Sequence, residues 1–152
     1  MEAKKYFESI RNHVKRAREL ESRAEELRKY ADNISGMRYD RPEVGKQKNG
    51  AVHIDAMYES YLRLERTADA AYNAAEVAAS LVAEASEILT KMLSDVRCDV
   101  DAVSIIWDYY IDGKSDDLIA NERFMSASGV CRARLRGLKK SQSWLDRYGV
   151  VA

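Results

Sequence analysis

The sequence has little of the material that tight turns and disulfides require. It holds one proline, seven glycines and two cysteines in 152 residues. So few turn-forming residues argue against a fold of many short strands. Cys98 and Cys131 share no metal-binding spacing, and such a pair is typical of reduced cysteines in a cytosolic protein.

Signals for membranes and secretion are also lacking. No stretch is apolar over a length that crosses a bilayer, and the opening Met-Glu-Ala-Lys-Lys has no apolar signal-peptide core. We therefore expect a cytoplasmic protein that has no membrane partner.

The signatures of phosphate-binding loops, zinc proteases and serine hydrolases are missing as well. His13 and His53 have no neighbours spaced as metal ligands. The sequence predicts that the protein is not an enzyme and that it holds neither a cofactor nor a metal.

No charge of one sign dominates, because 25 basic residues balance 25 acidic ones. The whole chain therefore has no net field that attracts nucleic acid or a membrane. Its abundant alanine, leucine, glutamate, lysine and arginine are typical of long helices, so we expect an all-α fold.

What the sequence does have is a long heptad pattern. Apolar or aromatic residues recur at alternating intervals of three and four, with no glycine or proline among them, at Ile54, Met57, Tyr61, Leu64, Ala68, Ala71, Ala75, Ala78, Val82, Ala85, Leu89 and Met92. This pattern predicts one long helix. A partner must cover its apolar seam, because most of the stability of such a helix comes from packing.

A second heptad pattern precedes it, at Ile10, Ala17, Leu20, Ala24, Leu27, Ala31 and Ile34. Gly36 then provides a helix stop, and the following segment contains Pro42 and two more glycines. We expect residues 1–93 to form a coiled-coil-like antiparallel helical hairpin, with helices over about 4–34 and 54–93 and a loop over 35–53.

The two predicted helices are unequal in length. The end of the second helix, at residues 87–93, and a flanking apolar line of Ala74, Val77, Leu81 and Ile88 need further cover. Either the last third of the chain packs there, or two hairpins pair as a homodimeric four-helix bundle.

The last third, residues 94–148, has a different character. An amphipathic segment over 99–110 ends near Gly113, a short helix follows with Ser115 as its N-cap, and Ser126 caps a final helix that runs to about Tyr148. The charge is polarised, because residues 97–122 carry seven acids against two bases and residues 123–152 carry seven bases against one acid.

A short helix, a tight turn and a basic helix make the plan of a helix-turn-helix, in which the second helix enters the DNA major groove. The plan requires a small residue where the helices touch and an aliphatic residue beyond the turn. Ala120 and Val130 occupy these places, ten residues apart, and Ile119, Met125, Leu135 and Leu138 are expected to complete the core. Phe124 stands where glycine is usual in the turn.

The run from Ile105 to Ser115, followed by Leu118-Ile119-Ala120, Met125-Ser126, Val130 and the segment from Arg132 to Leu138, resembles region 4 of the sigma-70 factors. More specifically, the chain resembles small phage- and prophage-encoded proteins with a charged first helix, a glycine-rich loop, a long helix and a region-4-like motif. The resemblance covers nearly the whole chain. It implies a DNA-binding regulator of phage transcription in a bacterial host cell, of the late-gene activator type, with RNA polymerase as a further partner.

The residues expected to contact double-stranded DNA are Ser126, Ser128, Arg132, Arg134, Arg136, Lys139 and Lys140. Basic side chains on phosphates give affinity and position, whereas base contacts give specificity. At the positions where sigma factors use arginine and glutamate to contact bases, this chain has Ala127, Ser128 and Cys131. These residues and Gly129 favour an alternative, namely a structural or adaptor coiled-coil protein with a degenerate helix-turn-helix.

Overall fold

Helices account for the regular structure of the described chain. The computed structural model describes the backbone of residues 1–37 and 47–148, and the side chains of residues 1–33 and 56–148. The helices are α1 (Ala3–Met37), α2 (Gln47–Leu93), α3 (Val100–Ile106), α4 (Asp116–Arg123) and α5 (Ala127–Arg147), and α3 continues as a π-helical turn over Trp107–Ile111. The predicted all-α class is confirmed.

The two long helices extend further toward each other along the chain than the sequence predicts. α1 passes through Gly36 to Met37, and α2 begins at Gln47 rather than at residue 54 and includes Gly50. A helical glycine costs about 1 kcal/mol relative to alanine, which is too little to end helices of 35 and 47 residues. The predicted breakers Pro42 and Gly45 lie outside the described residues.

The chain forms two compact units, and the division at residues 93/94 stays a prediction from the sequence. The first unit combines residues 1–15 with the chain from residue 76 onward. Its main core draws on α1, α2, α3, the π-helical turn and α5, through residues that include Phe7, Ile10, Ala85, Leu89, Met92, Val103, Ile106, Tyr110, Leu138 and Leu145. The last third of the chain therefore covers the apolar end of α2, which is the first of the two predicted alternatives.

Polar contacts fix the ends of this unit. The Tyr6 hydroxyl donates a hydrogen bond to Glu84 Oε1 at 3.1 Å. The backbone N–H of Ala3 donates to Gln142 Oε1 at 2.6 Å, so the start of α1 is held against α5. Burial raises the Tyr6 pKa well above its usual range, and the Glu84 carboxylate adds to the effect.

The second unit comprises residues 16–75. Among its described side chains, those in the buried class are Ala17, Ala24 and Ala31. On α2 the heptad residues Met57 and Leu64 are half-buried, and Tyr61 is 47% exposed. The heptad seam is thus well covered from Ala78 to Met92, in the first unit, and only partly covered in the second.

A smaller core joins α3, α4 and α5 within the first unit, through Ile105, Ile119, Ala120, Val130 and Ala133. The predicted Ala120–Val130 pair is therefore confirmed as a core element. Both predicted N-caps are confirmed too, because the hydroxyls of Ser115 and Ser126 accept hydrogen bonds from the N–H groups of Leu118 and Gly129.

Of the residues that the sequence assigned to that core, Leu138 belongs to the main core instead, and Met125 and Leu135 belong to neither core. Met125 is 37% exposed and Leu135 is 55% exposed. Leu135 stands two positions from both Ala133 and Gly137, which are buried, so the helical period directs its side chain away from the core. Met125 belongs to the turn before α5.

Candidate nucleic-acid interface

The candidate site is the exposed face of α5. The opposite face packs into the two cores through Val130, Ala133, Gly137, Leu138, Ser141 and Leu145. Gly137 allows the closest approach, because a Cβ atom there would lie 2.9 Å from the carbonyl oxygen of Ala102 and 2.6 Å from Ile106 Cδ1. The tight packing of α3 on α5 fixes which side of α5 faces outward.

Most of the predicted DNA-contacting residues lie on that outward face. Ser128, Arg132, Arg136, Lys139 and Lys140 are all exposed. At about 100° per residue, they fall within an arc of about 120° around the helix axis. No acidic residue occurs between Ala127 and Leu145, so the face is positive along most of α5.

Two arginines of this face have polar contacts of their own. Arg136 Nε lies 3.6 Å from Asp99 Oδ2, and the Arg136 side chain remains 59% exposed. Arg132 Nε lies 3.4 Å from its own helix's Ser128 carbonyl oxygen. Exposed pairs of this kind contribute little free energy, so both guanidinium groups can exchange these contacts for a phosphate.

Arg134 is placed differently from the other predicted residues. It forms an ion pair with Asp116 and its side chain is only 13% exposed. Its guanidinium carbon lies 3.8 Å from the centre of the Tyr109 ring. The structure thus brings Arg134 to the junction of α4, α5 and the π-helical turn, away from the exposed basic face.

Sequence reasoning missed the other arginine of this junction. Arg11 of α1 lies 3.7 Å from the centre of the same Tyr109 ring. Tyr109 therefore ties the start of α1 to α5 through two cation–π contacts. No local sequence signal indicates a pair separated by more than a hundred residues.

Acidic residues ahead of α5 pair with basic residues of the last third of the chain. Asp108 Oδ2 accepts hydrogen bonds from Arg123 Nη2 at 2.8 Å and Arg123 Nε at 3.0 Å. Lys114 Nζ donates to Glu122 Oε2 at 2.8 Å, and that carboxylate raises the Lys114 pKa. Of the seven basic residues after residue 122, Arg123 and Arg134 are therefore ion-paired and mostly covered.

The N-terminal end of α5 carries the two predicted serines. Ser126 Oγ accepts a hydrogen bond from Gly129 N at 3.1 Å and lies 3.3 Å from Ser128 Oγ. Ser126 thus caps α5, and Ser128 is exposed at its first turn. Phe124 in the turn before α5 adopts left-handed backbone angles, φ 54° and ψ 43°, and its side chain is 98% exposed.

The described residues hold no group of three or more histidine, cysteine or acidic side chains placed to bind a metal. Cys98 and Cys131 are free thiols, and burial raises the pKa of Cys98. Among the described helices, none has the length and apolar character needed to cross a membrane.

Comparisons with known proteins give no match: no family model, curated protein or solved structure is significantly similar to this chain.

Proposed function

We propose that this protein binds double-stranded DNA through the exposed face of α5 and regulates phage or prophage transcription. The main support is a set of exposed basic side chains on a helix whose opposite face packs into two cores. These residues are Arg132, Arg136, Lys139 and Lys140. Several cations on one face of a helix can neutralise several phosphates of one duplex. The sigma region-4-like pattern supports the regulatory role and RNA polymerase as a further partner.

The chemistry of the face favours backbone contacts over base contacts. Arginine and lysine neutralise phosphates and fix the register of a protein on DNA, but they carry no sequence information in doing so. The start of α5, with Ala127, Ser128 and Cys131, offers no bidentate partner for guanine. We infer that affinity arises mainly from charge.

A matched pair of double variants tests this proposal. Arg132→Ala with Arg136→Ala should abolish DNA binding at physiological salt and leave the melting temperature unchanged, since both side chains are exposed. Arg28→Ala with Lys29→Ala removes the same charge from an exposed part of α1 and should bind like the parent. Equal binding by the two double variants would refute a specific role for α5.

We also propose that the second unit pairs with a second copy of the chain. Tyr58, Tyr61 and Tyr72 are 65%, 47% and 71% exposed and fall within about 60° of one another around α2. The buried side chains described in this unit are alanines, so a two-helix hairpin there lacks the apolar cover that helices of this length need. A four-helix bundle of two hairpins supplies it.

Sedimentation velocity tests the pairing. The parent should sediment as a dimer of the 17.3 kDa chain. Replacing the three tyrosines with glutamate should give a monomer, because these side chains are exposed in the single chain and the added charges would oppose pairing. A parent protein that stays monomeric at high micromolar concentration would refute the dimer. A parent that dimerises but does not bind DNA would favour the adaptor alternative.

A further inference from the structure

Phe124 is the most exposed large aromatic side chain that the structure describes, at 98%. It is also the described non-glycine residue with a positive φ, and its angles of 54° and 43° lie in the left-handed region. Side chains with a Cβ atom are disfavoured in that region, where glycine is at home. The fold therefore carries a backbone penalty at this position.

Among the residues that the structure describes, nothing compensates for this penalty through the ring. A nearly fully exposed ring buries no apolar surface, so it contributes nothing to the core. Glycine would adopt these backbone angles without a penalty, and a polar side chain would expose less apolar surface to water. Residues in sparsely populated conformations cluster at functional sites, and an outlier of this kind supports a hypothesis about function.

Hydrogen bonds fix the backbone that carries the ring. The N–H groups of Phe124 and Met125 both donate to the carbonyl oxygen of Ala120, and the Met125 bond is 2.9 Å long. Ala120 is itself buried in the small core. Two residues further on, Ser126 caps α5. The position of Phe124 relative to the first turn of α5 is thus set by hydrogen bonds on both sides.

The residues around the ring indicate which kind of surface it contacts. Residues 124–131 carry no charge, and the basic residues of α5 begin at Arg132. The nearest charged side chains before the ring, Glu122 and Arg123, are engaged with Lys114 and Asp108. An apolar ring on an uncharged turn has nothing to offer a phosphate. It suits a surface that is flat or apolar, as the face or the methyl edge of a nucleobase is.

We propose that Phe124 makes an apolar contact with a nucleobase when α5 lies on DNA. The inference rests on the proposed DNA binding and adds to it a contact that does not depend on charge. Proteins of several folds insert or stack apolar side chains against bases in this way. The chain would then combine a phosphate-binding helix with one apolar base contact at the start of that helix.

The test compares Phe124→Gly and Phe124→Asn with the parent, in fluorescence anisotropy on duplex DNA across a salt series. Both substitutions remove the ring and tolerate a left-handed backbone, so the fold should persist. Phe124→Gly should raise the melting temperature by about 2–4 °C. Both variants should bind about tenfold more weakly. The slope of log affinity against log salt should not change, because every phosphate contact remains.

Each other outcome counts against the contact. Unchanged affinity would mean that the ring does not touch DNA and would shift attention to a protein partner. A shallower salt slope would mean that the variants displace α5, so that the ring acts only through the turn. If the parent itself does not bind DNA, the proposed function fails first, and this result is distinct from a loss confined to the two variants.

Discussion

Two arginines two residues apart on α5 should have opposite roles, and substituting each with alanine tests the account. Arg134 is 13% exposed, pairs with Asp116 and lies on the Tyr109 ring. Arg132 is exposed, and its described hydrogen bond is to its own helix. Arg134→Ala should lower stability and Arg132→Ala should lower DNA affinity.

The size of the first effect follows from the interactions that the Arg134 side chain makes. A desolvated cation–π contact contributes up to about 2 kcal/mol, and a partly exposed ion pair contributes about 1 kcal/mol or less. Asp116 lies in the first turn of α4, where the helix dipole stabilises its charge after the arginine is gone. We therefore expect a loss of about 2 kcal/mol for Arg134→Ala, which lowers the melting temperature by about 4–8 °C. Arg132→Ala should stay within about 0.5 kcal/mol of the parent.

Urea unfolding followed by tryptophan fluorescence is a suitable assay. Trp107 and Trp144 both pack against the main core of the first unit, so their emission reports on the unit that contains both arginines. If the two variants lose equal stability, Arg134 does not tie α4 to α5 as described. If Arg134→Ala is fully stable but no longer binds DNA, Arg134 belongs to the binding face and its inward placement is wrong.

Two further predictions concern packing and pH. Gly137→Ala should destabilise the protein by about 1–2 kcal/mol, because overpacking against Ile106 and the Ala102 carbonyl outweighs the better helix propensity of alanine. Gly129→Ala, where the added Cβ would lie 3.0 Å from the capping Ser126 Oγ and 3.7 Å from Met125 Cε, should cost less than Gly137→Ala in the same thermal melts. Burial raises the Tyr110 pKa to about 12, so stability should hold below pH 10 and fall as the pH rises from 10 to 12. Tyr110→Phe should show a shallower fall in melting temperature over that range. An unchanged fall would mean that Tyr110 does not cause the pH dependence.

The sequence predicted elements whose signals are local or periodic. The N-caps at Ser115 and Ser126, the meeting of Ala120 with Val130 and the long heptad helix are all present, because capping chemistry and helical period act within a few turns. The end of α1 and the start of α2 were misplaced, since single glycines in long helices are weak stops. Leu135 was assigned to the core because it is apolar, although its position in the helical period of α5 places it on the exposed side.

The parts that the sequence did not predict depend on contacts between distant segments. Nothing local indicates that Arg11 and Arg134 share the Tyr109 ring, or that the start of α1 joins the last helices in one unit. The charge pattern correctly marked α5 as basic. The core packing of α5 decides which of its basic side chains face outward. For that reason Arg134 is separated from the exposed set.

The salt dependence of DNA binding by the parent protein tests the central claim most directly. On B-DNA the slope of log affinity against log salt is about −0.9 for each phosphate neutralised. The exposed set of Arg132, Arg136, Lys139 and Lys140 predicts a slope of about −3 to −4. No binding even at low salt would contradict the account and would move the function to a protein partner.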